Sequence, residues 1–261
     1  MKSKLAVVFD LDKTIGYFTQ IAVVMDAVED TLGRELTLQE FYNFLDLYKY
    51  VFRHEIFKIF KYLKKKKKTN KQLRVLIYTN NMGPKSWVYK IKKYIEYKLN
   101  YKLFDRVIAA WKVGNEIYES KRTTHNKTYN DLLDCSRLGS NYKILFLDDM
   151  DHRDLRLNRQ VTYLKVDEYE IKKTFCDLIT KFVKSPMRLL FTNKIKTAEI
   201  LKMSLESHTR RSWYPKGNMM KYTIYRGDKY YKDVKEFLEI KNKRNTKRKK
   251  LSRNKTKKRR S

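Results

Sequence analysis

The stretch Leu5-Ala6-Val7-Val8-Phe9-Asp10-Leu11-Asp12-Lys13-Thr14 decides the fold. Its first five residues are apolar without alternation, the pattern of a strand buried on both faces of a parallel sheet. The run stops at two acids. Asp10 and Asp12 are two apart, so in extended chain they face one way and Leu11 faces the core. Working outward, Leu73–Tyr78, Val107–Ala110 and Ile144–Leu147 read as further buried strands, and Val161–Val166 as a fifth that alternates more. Helical patterns lie between them over Ile21–Leu32, Leu38–Tyr50, Glu55–Leu63, Lys85–Leu99 and Lys127–Leu133. Strands separated by helices predict an α/β fold with a parallel, Rossmann-like sheet flanked by helices.

Open α/β sheets carry their sites at the carboxyl ends of the strands. Those ends read Asp10-Leu11-Asp12-Lys13-Thr14, Thr79-Asn80-Asn81 and Asp148-Asp149. Carboxylates and a hydroxyl thus converge on one sheet edge. Asp10, Asp12, Asp148 and Asp149 together would repel without a cation. Mg²⁺, a hard ion that takes a few carboxylates plus substrate phosphate, fits that donor set. An EF-hand reading of the first motif fails: the sixth loop position is Ile15 rather than Gly, and the twelfth is Ile21 rather than Glu. The histidines His54, His125, His152 and His208 show no paired metal spacing, although His152 lies just past the acidic pair.

The chain has 261 residues, enough for a sizeable core without disulfide or metal staples. It carries 61 Lys and Arg against 29 Asp and Glu, a net charge of +32. A balance this one-sided predicts polyanionic surroundings. Two cysteines, Cys135 and Cys176, make neither a disulfide framework nor a metal cluster, which points to a reducing, intracellular setting. Cys135, beside Leu132 and Leu133, reads as a packed residue. The apolar run Leu5–Phe9 is too short for a signal peptide. No stretch approaches the ~18 apolar residues of a membrane span, so no membrane partner is expected. Residues 241–261 hold 13 Lys and Arg and no acid, with Leu251 the one aliphatic residue. This tail is expected to be disordered, and to bind nucleic acid or serve nuclear localisation. Lys64–Lys68 read as a solvated helix end. After Pro186 the pattern changes: a helix over Ile195–Leu205, a turn at Trp213–Gly217, a strand-like Lys221–Tyr225 and a helix near Tyr231–Ile240. The tyrosines Tyr222, Tyr225, Tyr230 and Tyr231 read either as packing within this piece or as base-stacking residues. The expected division is 1–185 as the main domain with an insertion over about 15–52, 186–240 as an α+β appendage, and 241–261 as the tail.

Phe9-Asp10-Leu11-Asp12-Lys13-Thr14 resembles the first motif of the haloacid dehalogenase (HAD) superfamily, Asp-x-Asp-x-Thr after an apolar strand. Thr79 resembles its second motif and Asp148-Asp149 its fourth. The third-motif lysine is Lys127, opening Lys127-Thr128-Tyr129-Asn130-Asp131-Leu132-Leu133, or else Lys121. Within the superfamily, Ile77-Tyr78-Thr79 and the Lys-x-x-x-Asp-Leu-Leu run are similar to the NLI-interacting-factor-like and RNA polymerase II carboxy-terminal-domain phosphatases. His54 after Arg53, Asn80-Asn81, and a helical stretch between Thr14 and Arg53 depart from that branch. The Lys- and Asn-rich composition also resembles such proteins from large DNA viruses.

The resemblance implies a HAD-like domain over roughly 1–185 and a Mg²⁺-dependent phosphatase acting through an aspartyl-phosphate. Asp10 would be the nucleophile and Asp12 the general acid and base. Thr79, Asn80 and Lys127 would bind phosphate, and Thr14 would brace the loop. Asp10, Asp12 (through its carbonyl), Asp148 and Asp149 would hold the metal. The expected substrate is a phosphorylated macromolecule, chiefly protein phosphorylated on Ser or Thr, in the nucleus or cytoplasm of a eukaryotic or virus-infected cell. A polynucleotide-end phosphatase and a non-catalytic nucleic-acid-binding protein on the same scaffold are the rival expectations. The short gaps between Thr14 and Arg53 and between Asn81 and Glu116 fit no large closed lid, which favours macromolecular substrates.

Overall fold

The computed structural model describes residues 4–191, 199, 201–206 and 229–239. Its centre is a five-stranded parallel sheet of β1 (Leu5–Phe9), β2 (Leu73–Tyr78), β3 (Arg106–Ile108), β6 (Lys143–Asp148) and β7 (Val161–Lys165). The spatial order is β3-β2-β1-β6-β7. Counted by sheet strands alone this is 3-2-1-4-5, a Rossmann-like order whose connections reverse direction between β1 and β6. Register carries the geometry forward: Phe9 pairs with Ile77 on one side and Leu147 on the other, so β1, β2 and β6 end level with one another. Between β3 and β6 a short antiparallel hairpin, β4 (Lys112–Val113) and β5 (Glu116–Ile117), turns at Gly114, whose φ of +58° suits glycine.

Pleating splits the apolar runs between two cores. Leu5, Val7, Phe9, Val75, Ile77, Leu145 and Leu147 face the larger one, while Ala6, Val8, Leu76, Tyr78, Ile144 and Phe146 face the smaller. The larger core packs α1 (Thr19–Leu32), α2 (Leu38–Leu47), α3 (Ile56–Thr69), α4 (Lys85–Leu99) and α7 (Phe175–Val183). The smaller is closed by α5 (Tyr129–Ser136) and α6 (Arg153–Leu157). The 15–52 segment is helical as expected: α1 ends at Gly33 in the left-handed region, and α2 opens on a reciprocal Thr37–Glu40 capping box. Phe60 packs edge-on against Phe9, Phe57 and Phe104, anchoring α3 beneath the sheet.

Several boundaries differ from the sequence pattern for identifiable reasons. α2 stops at Leu47 because Tyr48 turns into a 3₁₀ segment and donates its hydroxyl to the Leu178 carbonyl. The lysines of 64–68 continue α3 to Thr69 rather than ending it in solvent. Lys64 and Lys67 donate to the carbonyls of Leu99 and Leu103, and Lys67 also pairs with Asp105. Beyond Pro186, residues 201–206 and 229–239 are helical. Leu201, Leu205, Val234 and Leu238 belong to the larger core. The turn at Trp213–Gly217, the strand-like Lys221–Tyr225 and the tail at 241–261 lie outside the described residues. None of the described helices is long and apolar enough to cross a membrane.

Candidate active site

Because β1 and β6 are adjacent and in register, Asp10 and Asp148-Asp149 leave the sheet side by side at the point where strand order reverses. The Asp10 amide extends the ladder to the Leu147 carbonyl at 2.9 Å. The loop after Asp10 then folds tightly. Lys13 takes a left-handed φ of 58° and its amide bonds the Gly16 carbonyl. A Cβ at Gly16 would come 2.5 Å from the Val51 carbonyl oxygen, so only glycine fits there. Thr14 links this loop to β6 twice: its hydroxyl donates to Asp149 Oδ1 at 2.9 Å and accepts from the Asp149 amide at 3.0 Å. Arg53, buried, holds the same loop from below, donating to the carbonyls of Thr14, Lys13 and Asp167 at 2.6 Å each.

Lys127 closes the cluster. Thr128 caps α5 by accepting from the Asp131 amide, which fixes the residue just before it. The ammonium, on a residue 3% exposed, lies 2.5 Å from Asp10 Oδ1 and 2.7 Å from Asp148 Oδ2. Lys121, the other candidate, is exposed. Asp148 also has His152 Nε2 at 3.4 Å and accepts from the Met150 amide. Thr79, at the end of β2, is buried, and its hydroxyl accepts from the Asn81 amide. Asn81 rather than Asn80 touches the carboxylates, donating to Asp12 Oδ2 at 2.7 Å, while Asn80 stands exposed at the cavity rim. The four acids, Thr79, Asn80, Asn81, Lys127 and His152 line one cleft of about 850 Å³, whose walls also include Lys13, His125 and Asn126.

One residue of this region had no sequence signal. Arg122 is buried and donates to four carbonyls: Thr79 and Ala109 at the ends of β2 and β3, and His125 and Asn126 just before Lys127. Its guanidinium lies 4.8 Å from the Tyr78 ring centroid. It ties the Thr79 strand end to the segment that delivers Lys127. A single arginine in a chain with 61 basic residues gives no pattern to find.

The electrostatics follow from burial. Desolvation raises the Asp10 carboxyl well above its usual range, against the pull of Lys127, and the nearby charges of Asp148 and Asp12 add to it. Asp12 and Asp149 are raised for the same first reason, with the Asn81 and Thr14 hydrogen bonds opposing. For Asp148 the balance reverses: burial pushes it up, but Lys127 and His152 together bring it below the usual range. Lys127 itself is held above its ordinary value, because Asp10 and Asp148 outweigh its own burial. Asp10, Asp148 and Asp149 each offer an oxygen, all within 4.8 Å of one another. Asp12 keeps its carboxylate on Asn81, outside that trio. Three carboxylate oxygens converging beside a single lysine are the donor type a hard divalent cation suits. Comparison with protein-family models, with curated proteins and with solved structures gives no match.

Proposed function

We propose that this chain is a Mg²⁺-dependent phosphatase of HAD type that works through an aspartyl-phosphate on Asp10. The observation that carries the reading is the trio Asp10, Asp148 and Asp149 at adjacent strand ends, with Lys127 lodged between two of them at the floor of a cleft. Asp10, Asp148 and Asp149 would hold the metal, with the Asp12 backbone carbonyl. A Mg²⁺ ion held there would supply positive charge to offset the repulsion between the phosphoryl group and Asp10.

The chain's own residues do the rest. Lys127 occupies Oδ1 of Asp10, leaving Oδ2 as the attacking atom. Attack forms the Asp10 O–P bond and breaks the P–O bond to the substrate alcohol. Asp12, whose pKa burial raises, gives its proton to the departing oxygen. Ionised Asp12 then takes a proton from water as that water attacks phosphorus and the Asp10 O–P bond breaks, releasing the Asp10 carboxylate. Phosphate leaves, and Asp10 and Asp12 return to their starting states. Asn81 keeps Asp12 aimed into the cleft, and Thr14 and Arg53 keep the loop bearing both acids rigid. The Thr79 hydroxyl and the Lys127 ammonium hold phosphoryl oxygens, Lys127 as a point charge.

The two free cysteines and the basic tail support an intracellular, nuclear or cytoplasmic setting. The test is phosphate release from a generic aryl phosphate, with Mg²⁺ and with chelator, by the full chain and by Asp10→Asn. The proposal expects turnover only for the unsubstituted chain with Mg²⁺; turnover that survives either change refutes it.

A further inference from the structure

The cleft does not end at the phosphoryl-binding floor. It continues as a groove between α1 and the start of α4. α1 turns Ala22, Met25, Asp26 and Glu29 to the cavity, a spacing of 3, 1 and 3 that marks one helical face. The facing wall carries Met82, Pro84, Trp87 and Lys90. The inner part is apolar: Trp87 and Met25 are nearly buried, and Met82 is 68% exposed at the rim, an unbranched side chain free to fold over a ligand. The outer part is acidic. Asp26, Glu29 and Glu35 meet there with Lys90, which lies 3.0 Å from Glu35 and 3.9 Å from Glu29. Burial first, and then the like charges of Glu35 and Asp26, hold Glu29 above its usual range despite the Leu36 amide and Lys90. Among the described residues, seven carboxylates and three lysines line the whole cleft, in a chain of net charge +32. The cleft therefore has the opposite sign to the molecule that surrounds it.

We infer that this groove selects phosphoproteins carrying a lysine or arginine about three residues from the phosphorylated Ser or Thr, with Asp26, Glu29 and Glu35 as the specificity-determining residues. The inference rests on the phosphatase reading of the floor. The groove face of α1 from Ala22 to Glu29 is about 10 Å long at ~1.5 Å per residue, a length that takes about three residues of extended peptide at ~3.3 Å each as the chain leaves the floor. Apolar flanking side chains lie on Met25, Met82 and Trp87, and the basic one reaches the carboxylates. A polynucleotide end would lay its next phosphates along the same carboxylates and be repelled. The basic exterior then contributes long-range attraction to acidic surroundings, while the groove chooses what enters.

The test uses the full-length chain with Asp10→Asn, to prevent turnover, and Mg²⁺. Fluorescence anisotropy compares two labelled phosphoserine peptides that differ only in Lys or Glu three positions from the phosphoserine, on either side. A 3′-phosphorylated oligonucleotide serves as competitor. The Lys peptide is expected to bind roughly tenfold tighter, from several exposed charge pairs of modest individual worth. Adding Asp26→Lys and Glu35→Lys, both at exposed positions, should erase or invert that ratio. The unsubstituted chain should show the same ordering in kcat/KM. Equal affinities for the two peptides overturn the inference, as does an oligonucleotide that displaces the Lys peptide from the cleft in preference to it. Aryl-phosphate turnover by the unsubstituted chain is measured separately. Turnover without peptide preference refutes the groove alone; peptide preference without turnover refutes the phosphatase reading alone.

Discussion

Replacing Lys127 by methionine keeps the stem and removes the charge. The ammonium is almost wholly buried and hydrogen-bonded to both Asp10 and Asp148. Without it, Asp10, Asp148 and Asp149 face one another with His152 as the one neighbouring base among the described residues close to Asp148. Removing one partner of a buried ion pair costs about 3–5 kcal/mol. At ~2–4 °C per kcal/mol for a chain of this size, Tm should fall by about 6–20 °C in chelator at pH 7. The loss has a definite pH dependence. Asp10 already has a folded-state pKa raised above its value of 3.8 in the unfolded chain. A carboxyl raised in this way supports the fold fully below the unfolded value and loses that support as pH rises through the folded value. The Lys127→Met penalty should therefore shrink steadily as pH is lowered from 7 toward 4, where the unpaired carboxyls take up protons. Adding Asp148→Asn removes one of the repelling charges and should recover part of the loss, a coupling of about 0.5–3 kcal/mol. The assay is urea unfolding of the four chains of this cycle across that pH range. A Lys127→Met chain within ~0.5 kcal/mol of the unsubstituted one at pH 7, or a penalty that grows on acidification, refutes the counter-ion role.

Asp12→Asn should keep the fold and lower turnover by about 10²–10⁴, with a smaller loss for aryl phosphates whose leaving groups need little protonation; an equal loss across leaving groups would assign Asp12 a structural role. A thiol reagent at pH 7.5 should label exposed Cys176 and spare Cys135, which is buried and pushed up to about 12; labelling of Cys135 in the native chain contradicts the packing of α5 on the smaller core. Deleting residues 241–261 should leave aryl-phosphate turnover nearly unchanged while the log–log salt dependence of duplex binding flattens by about 0.9 for each phosphate the tail had neutralised; an unchanged slope would assign phosphate binding to the folded body.

The sheet was legible because parallel strands are buried on both faces. β1 and β2 run as uninterrupted apolar stretches, save for Arg74, and their boundaries agree with the sequence pattern to the residue. The strand ends were legible for the same reason, since Asp10, Thr79 and Asp148 are the first polar residues after such runs. What the pattern missed depends on distant partners. Ala109 and Ala110 extend the apolar run after β3 and are buried, yet the ladder stops at Ile108, and just past it the carbonyls of Thr79 and Ala109 accept from Arg122 instead. The lysines of α3 look like a solvated end because their acceptors, Leu99 and Leu103, come from the far end of α4 and the turn beyond it. That Lys127 rather than Lys121 meets the acids depends on the turn that the Thr128 N-cap sets just after Lys127, which the sequence alone does not rank. The role of Asn81 was missed because its hydrogen bond to Asp12 depends on the path of the loop after β2, which leaves no pattern in the sequence. α6 and the β4–β5 hairpin are too short to carry a period.

The covalent intermediate tests the central claim most directly. The full chain, mixed with Mg²⁺ and an aryl phosphate and quenched in acid within one turnover, is digested and mapped by mass spectrometry. The account predicts a phosphoryl adduct on Asp10, absent from Asp10→Asn and accumulating in Asp12→Asn with a good leaving group, because Asp12 also activates the water that removes it. Phosphate release with no adduct at Asp10, or an adduct on another residue, contradicts it.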